Sequence, residues 1–136
     1  MTDPLLITIE IEPAGSVRSS VIWMHGLGAD ANDFGPIVPE MCLSTELGIR
    51  FVFPNAPVRP VTINGGMRMR AWYDVLTIDL PRREDHDGVY DSEQAIVALI
   101  EREKQRGVPA EQIVLAGFSQ GGAMALHTGL RCPDRL

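Results

Sequence analysis

Ser119 is the residue of this sequence whose type and surroundings point most directly to covalent chemistry. It lies at the centre of residues 117–121, which read Gly-Phe-Ser-Gln-Gly and fit the pattern Gly-x-Ser-x-Gly. In this pattern the serine stands on a sharp turn from a strand into a helix, and strained backbone angles lift its hydroxyl above the sheet. Four apolar residues precede the pattern here, and a helical run follows it. The sequence therefore predicts a nucleophilic serine at 119, and the alternative is a tight strand-to-helix turn without chemistry.

A second glycine-rich segment, residues 25–28 (His-Gly-Leu-Gly), ends an earlier apolar run. A serine turn of this kind works with two backbone N–H groups, which stabilise the negative oxygen that forms when the serine attacks a carbonyl. One N–H belongs to the residue after the serine and the other to a loop after an early strand, which here means Gln120 and Leu27. Taken alone, residues 25–28 would be an ordinary strand end. Together with the pattern around Ser119 they predict an oxyanion hole.

The elements that must position these residues alternate along the chain between short apolar runs and helical patterns, which is typical of a mostly parallel sheet covered by helices. The sequence predicts strands at residues 5–11, 20–24, 49–53 and 113–116, and helices at 34–47 and 123–130. A further helix is expected to be capped by Asp91 and to stop at Gly107. Asn64 and Gly65 predict the turn of a β-hairpin, and residues 74–88 predict a surface loop.

Composition limits the classes of protein to which the chain can belong. The 136 residues (14.9 kDa) suit a single domain, residues 1–136, and 45% hydrophobic residues argue against disorder. A formal charge of −6 disfavours nucleic acid or anionic lipid as the main partner. The apolar runs are too short for an integral membrane protein, and the acidic start without a signal peptide favours the cytoplasm.

The cysteines and histidines of the chain show no spacing that would hold a metal ion. Cys42 and Cys132 are isolated, which predicts reduced thiols and no disulfide. No phosphate- or dinucleotide-binding glycine pattern occurs either. The sequence therefore predicts no cofactor.

Five segments, in this order, resemble the carboxylesterase and acyl-protein thioesterase (phospholipase/carboxylesterase) family of α/β-hydrolases. They are residues 23–30, 53–57, 60–66, 71–74 and 117–122. The resemblance covers nearly the whole chain and implies an α/β-hydrolase fold with helices on both faces of the sheet. It also implies that Ser119 is the nucleophile and that Leu27 and Gln120 supply the oxyanion-hole amides. The family's substrates are short to medium carboxylic esters and, in some members, lysophospholipids or thioester-linked acyl groups on proteins.

The segment from Val58 to Trp72 carries four apolar side chains that could line an acyl-chain site near the serine. They are Ile63, Met67, Met69 and Trp72. Methionine suits a pocket that accepts varied chains, because its side chain is flexible and polarizable. Core packing is the alternative for these residues, and for Trp72 the two readings have equal weight.

The chain departs from the family pattern after Ser119. Hydrolases of this fold carry their triad in the order serine, acid, histidine, but only His127 and Asp134 follow here. His127 lies eight residues along the following helix, about 12 Å up its axis, too far to meet the serine hydroxyl. His25 is a structural residue of the oxyanion loop by resemblance, and His86 falls in a charged loop. We therefore expect the acid and base beyond this chain, which looks like the N-terminal portion of the hydrolase, without its C-terminal strands.

Two other readings stay open. In the first, the chain is a degenerate or truncated copy that binds acyl groups at most; in the second, it is part of a split enzyme whose partner chain brings the acid and base. The strand at 113–116 would keep one apolar edge unpaired, and such edges recruit other chains. A homodimer or a completing second chain is therefore a possible partner, besides the small ester, thioester or acylated-protein substrate.

Overall fold

The computed structural model describes residues 5–77 and 84–136. In chain order its strands and helices are β1 (Thr8–Ile11), β2 (Ser19–Met24), α1 (Ile37–Glu40), β3 (Ile49–Pro54), β4 (Val58–Val61), β5 (Met67–Arg70), α2 (His86–Gln105), β6 (Ile113–Gly117) and α3 (Gln120–Arg131).

The main sheet has the strand order β1-β3-β2-β6 and is mostly parallel, as the sequence predicts. Strand β2 runs parallel to both β3 and β6, whereas β1 pairs antiparallel with β3. The register pairs Met24 with Gly117, so that β2 and β6 end side by side. Because both strands end at the same edge, the glycine-rich loop after β2 and the serine turn after β6 are neighbours.

Alternation along β2 separates the two faces of the sheet. Ile22 and Met24 are completely buried in a cluster with the apolar stripe of α2 and with Met124 of α3. On the opposite face, Trp23 stacks on Phe34 with ring centroids 5.1 Å apart, in a second cluster that includes Val38 of α1. Helical structure therefore covers both faces, two long helices on one and the short α1 segment on the other.

The prediction of one helix over residues 34–47 is wrong. The structure has only the four-residue α1 and a short 3-10 turn at Thr45–Leu47. Pro39 cannot donate a backbone hydrogen bond, and Cys42 takes a positive φ of 49° just after the helix. The 3-10 turn then ends at Gly48, whose φ of 61° lets the chain enter β3.

The β-hairpin is present, but its turn is longer than predicted. Strands β4 and β5 pair from Val58 with Arg70 to Val61 with Met67. The connection is a 3-10 turn at Thr62–Asn64 followed by two glycines with φ of 66° and 79°, instead of a two-residue turn at Asn64 and Gly65. A 3-10 turn closed by left-handed glycines uses the same residue types, so the sequence did not separate the two geometries.

Helix α2 starts earlier than predicted. Its cap is Asp85, whose side chain accepts the backbone N–H of Gly88, so Asp91 lies inside the helix. The last residues of the predicted surface loop at 74–88 are therefore helical, and residues 78–83 of that loop lie outside the described residues. The predicted helix end is confirmed, since α2 stops just before Gly107, which has a φ of 95°. None of the helices in the described parts of the chain is long and apolar enough to cross a membrane.

Strand β6 lies at one end of the sheet order and pairs only with β2 among the described residues. Val114 of β6 is 54% exposed on the face opposite α2 and α3, and Leu130 of α3 is 85% exposed beside the same edge. An apolar edge strand of this kind invites pairing with another chain.

We expect the polypeptide of residues 1–136 to self-associate through β6, and Val114→Lys to shift it towards the monomer by placing a charge on that edge. Sedimentation velocity over a range of concentrations measures the shift. Tyr90→Lys, a substitution of a side chain on α2 that is 57% exposed, is the control and should leave the self-association unchanged. A wild-type polypeptide that is monomeric at all concentrations and melts cooperatively would contradict the expectation.

Candidate active site

The turn between β6 and α3 holds Ser119 in an unusual backbone conformation. Its φ of 54° and ψ of −116° are strained for a residue with a side chain. The glycines at 117 and 121 are required because there is no room for a side chain at either position. A Cβ on Gly117 would overlap the backbone of Gly121, and a Cβ on Gly121 would overlap the carbonyl oxygens of Met24 and His25. The close approach of the start of α3 to the end of β2 thus explains why both positions carry glycine.

Relief of the backbone strain gives a test of this geometry that does not depend on activity. We expect Ser119→Gly to raise the free energy of unfolding by about 1 kcal/mol, because glycine adopts this φ freely and the strain is worth about 1–3 kcal/mol. Ser119→Ala keeps the Cβ and is the matched control, with no comparable gain. Urea unfolding of the two variants measures the difference, and equal stabilities would show that Ser119 is not strained.

The loop at residues 25–28 lies beside the serine turn and is fixed from several sides. The backbone N–H of Gly28 donates to the carbonyl of Arg70 at 2.9 Å, which joins the loop to β5. The N–H groups of Leu27 and Gln120 donate to no backbone carbonyl in the described parts of the chain, and Gln120 is the first residue of α3, where N–H groups lack helical partners. Leu27, Ser119 and Gln120 line one cleft of about 640 Å³.

His25 is a neutral, structural histidine. It is 1% exposed, its Nδ1 lies 2.7 Å from the carbonyl oxygen of Gly26, and its Nε2 lies 3.0 Å from the backbone N of Ala56. Since the Ala56 N–H can only donate, Nε2 accepts and Nδ1 carries the proton. Burial lowers the pKa of His25, in keeping with a neutral ring. Both nitrogens are occupied, so His25 is not placed to take a proton from Ser119.

The same hydrogen bond orients the Leu27 amide. Gly26 C=O and Leu27 N–H belong to one planar trans peptide, in which the two groups point in opposite directions. By holding the Gly26 carbonyl, His25 directs the Leu27 N–H away from itself. The orientation of one predicted oxyanion-hole donor thus depends on the buried imidazole of His25. The sequence alone identifies His25 only as a structural residue of the loop at 25–28.

The other two histidines also line the cleft, but neither contacts the serine. His127 Nε2 lies 3.4 Å from the nearly buried carboxylate of Glu93, which also accepts from Arg131 Nε at 2.9 Å. The His86 side chain is 84% exposed and lies 3.8 Å from Glu84. Within residues 5–77 and 84–136, no hydrogen bond joins the Ser119 hydroxyl to a base. Across these residues there is also no group of three or more side chains suited to a metal ion.

The apolar residues that the sequence predicts as substrate-binding do not line this cleft. Trp72 is completely buried in the main core cluster, which is the packing role that the sequence left open. Ile63, Met67 and Met69 lie on the hairpin, where Met67 is 64% exposed. Their contact with an acyl chain stays a prediction.

The cleft is instead walled by the segment directly after Trp72, by the start of α2 and by the first turns of α3. Residues that sequence reasoning missed include Tyr73, Val75, Leu76, Val89, Ala123 and Met124. Two features of the sequence could have identified two of these residues, Tyr73 and Ala123. Tyr73 lies within residues 71–74, a segment already noted for its family resemblance, and Ala123 stands one helical turn after Ser119.

Known proteins resemble this chain in sequence and in structure. It is 37% identical over 131 residues to acyl-protein thioesterase 1 of Schizosaccharomyces pombe, covering 96% of this chain and 58% of the relative. The same-named protein of Neurospora crassa is 40% identical over 124 residues, covering 87% of this chain and 51% of the relative. The chain thus spans about half the length of the curated relatives it matches.

Solved structures agree with these relatives. The crystal structure of Zea mays acyl-protein thioesterase 2 superposes with a TM-score of 0.77 at 28% identity, over 90% of this chain and 50% of that one. Arabidopsis thaliana SOBER1 superposes with a TM-score of 0.80 at 32% identity, over 87% and 57%. The expected α/β-hydrolase fold is confirmed, and the chain covers only part of it. Since residues 8–136 match the family described as phospholipase/carboxylesterase, the chain belongs to that family.

Proposed function

We propose that this chain carries the nucleophile and the oxyanion hole of a serine hydrolase that cleaves carboxylic esters or thioesters through an acyl-enzyme on Ser119. The observation that carries the proposal is the strained backbone of Ser119, which lines one cleft with Leu27 and Gln120. These features support a nucleophile elbow at Ser119. Relatives named acyl-protein thioesterase support acylated proteins as one substrate class.

In the proposed mechanism the Ser119 oxygen attacks the substrate carbonyl carbon, and its proton passes to a general base. The carbonyl oxygen becomes an oxyanion that accepts hydrogen bonds from the Leu27 and Gln120 amides. The N-terminus of the twelve-residue α3 adds partial positive charge at the same place. The alcohol or thiol then leaves with a proton, and water attacks the acyl carbon, which returns the hydroxyl to Ser119 and releases the acid.

The base and its carboxylate partner are proposed to lie beyond residues 1–136. This is supported by the engagement of His25 on both nitrogens and by the pairing of His127 with Glu93. Without a base, a serine hydroxyl stays neutral and is a weak nucleophile.

A fluorophosphonate probe tests the nucleophile in the full-length protein. The Ser119 oxygen would displace fluoride from phosphorus, and peptide mass spectrometry should find the adduct on the peptide that contains Ser119. The exposed Ser16, which precedes β2, is the internal control and should stay unmodified. Modification elsewhere, or none at all, would overturn the assignment of the nucleophile.

The absence of a base at hydrogen-bond distance within the described residues favours a second candidate, a catalytically dead copy that binds acyl groups without turnover. The two candidates differ in one measurement. Cleavage of a short nitrophenyl ester by the full-length protein above the rate of its Ser119→Ala variant supports the hydrolase. Equal rates together with binding of the corresponding fatty acid support the binding module.

A further inference from the structure

The side chain of Gln120 has a role separate from that of its backbone amide. It is only 5% exposed, and both of its polar atoms are used. Oε1 accepts the backbone N–H of Trp72 at 2.7 Å, and Nε2 donates to the backbone carbonyl of Tyr73 at 2.8 Å. The carboxamide therefore holds two consecutive residues of another segment through one donor and one acceptor.

The segment that Gln120 holds leads into a wall of the cleft. Residues 73–77 line the cleft together with Leu27, Ser119 and Gln120. Trp72, just before them, is anchored twice more. Its indole Nε1–H donates to the carbonyl of His25 at 2.9 Å, and its own carbonyl accepts from the Ser92 hydroxyl of α2.

We propose that Gln120 is a positioning residue whose side chain fixes the wall at residues 73–77 relative to the serine turn, and so sets the width of the acyl site. The inference rests on the proposed function for the meaning of the cleft, but the clamp itself can be measured without activity. One residue thereby couples the two halves of the site, because its amide faces the reacting carbonyl while its side chain holds the surface against which the substrate packs.

Only an amide of this length satisfies both partners. Glutamate in the same place could accept from Trp72 N–H, but its ionised carboxylate would face the Tyr73 carbonyl with a second acceptor. Methionine has a similar length and would remove both of these hydrogen bonds. Loss of the two hydrogen bonds at this buried site should raise the local opening equilibrium of the segment roughly tenfold.

The first readout is hydrogen exchange in the full-length protein. Gln120→Met should speed exchange of the peptide covering residues 72–77 by about tenfold, while the peptide covering β2 exchanges as in the wild type. Gln105→Met, at an exposed position on α2, is the matched control and should change neither peptide. Unchanged exchange at 72–77, or equal acceleration in β2, would overturn the clamp.

The second readout is steady-state hydrolysis of a nitrophenyl ester. In Gln120→Met and Gln120→Glu, KM should rise by a larger factor than kcat falls. The side chain holds the binding wall, whereas the backbone amide of residue 120 is present in both variants. For Gln120→Glu, the ratio of variant KM to wild-type KM should fall as the pH is lowered, since a protonated carboxyl donates to Tyr73 again. A loss confined to kcat, or a pH-independent ratio, would contradict the proposal. If the wild type hydrolyses nothing, the proposed function fails, and exchange alone decides the clamp.

Discussion

Ser119→Ala in the full-length protein should lower kcat for a short nitrophenyl ester by about 10⁴- to 10⁶-fold, the range seen when a triad nucleophile is removed. We expect this loss of kcat because alanine has no side-chain oxygen that could form the acyl-enzyme. The Leu27 and Gln120 amides and the cleft stay in place, so weak catalysis of direct water attack should remain.

The measurement is initial-rate hydrolysis corrected for the spontaneous reaction. Ser16→Ala is the matched control, since Ser16 is exposed and precedes β2, at the end of the sheet away from the serine turn. It should retain full activity. A Ser119→Ala variant that keeps a tenth or more of the wild-type rate would show that another residue is the nucleophile.

The serine turn could be predicted from sequence because its requirements appear as residue types within the five residues 117–121. The glycines at 117 and 121 are explained by backbone atoms that approach within a few residues of the chain or from the adjacent β2. The apolar run of β6 and the helix after it fix the remaining geometry. The pairing of β2 with β6 places the loop at 25–28 beside Ser119.

Features that depend on distant contacts were not predictable in the same way. Burial lowers the pKa of His25, and the Ala56 amide, which reaches the ring from the segment after β3, fixes which nitrogen carries the proton, a contact that the sequence around His25 does not show. Trp72 and Tyr73 form hydrogen bonds with Gln120 and Ser92, which lie on two different helices far along the chain. The start of α2 was misplaced because Asp85 and Asp91 are both suitable caps by type.

Glu103 is a further residue whose burial could not be predicted from its position in the sequence. It lies near the end of α2 among charged, mostly exposed residues, yet its side chain is completely buried. Its carboxylate accepts from the Ser20 hydroxyl of β2 at 2.6 Å, from Arg50 Nη1 of β3 at 3.0 Å and from Arg106 Nε at 2.9 Å. One carboxylate thus joins the start of two strands to the end of the helix that covers them.

We expect Glu103→Ala to lower the free energy of unfolding by about 3–5 kcal/mol, because it leaves the positive charge of Arg50 partly buried without this partner. Glu12→Ala is the matched control. Glu12 pairs with the same Arg50 at 2.9 Å, but its side chain is 50% exposed, so its loss should cost less than about 1 kcal/mol. Urea unfolding of the full-length protein at neutral pH measures both, and equal effects would show that burial does not strengthen the Glu103 contacts.

The Glu103 contribution should also depend on pH, with a definite sign. Burial alone would raise the pKa of Glu103, but the hydrogen bonds from Ser20, Arg50 and Arg106 outweigh it and hold the pKa below its ordinary value. A carboxyl whose folded pKa is lowered stabilises the protein above its unfolded pKa of about 4.3, and this stabilisation is lost as the pH falls through the folded pKa. The stability gap between the wild type and Glu103→Gln should therefore be constant from pH 7 to about pH 5 and shrink at lower pH. A gap that widens on acidification would mean that the buried carboxyl is already protonated near neutrality, and that the arginines around it are held by other groups.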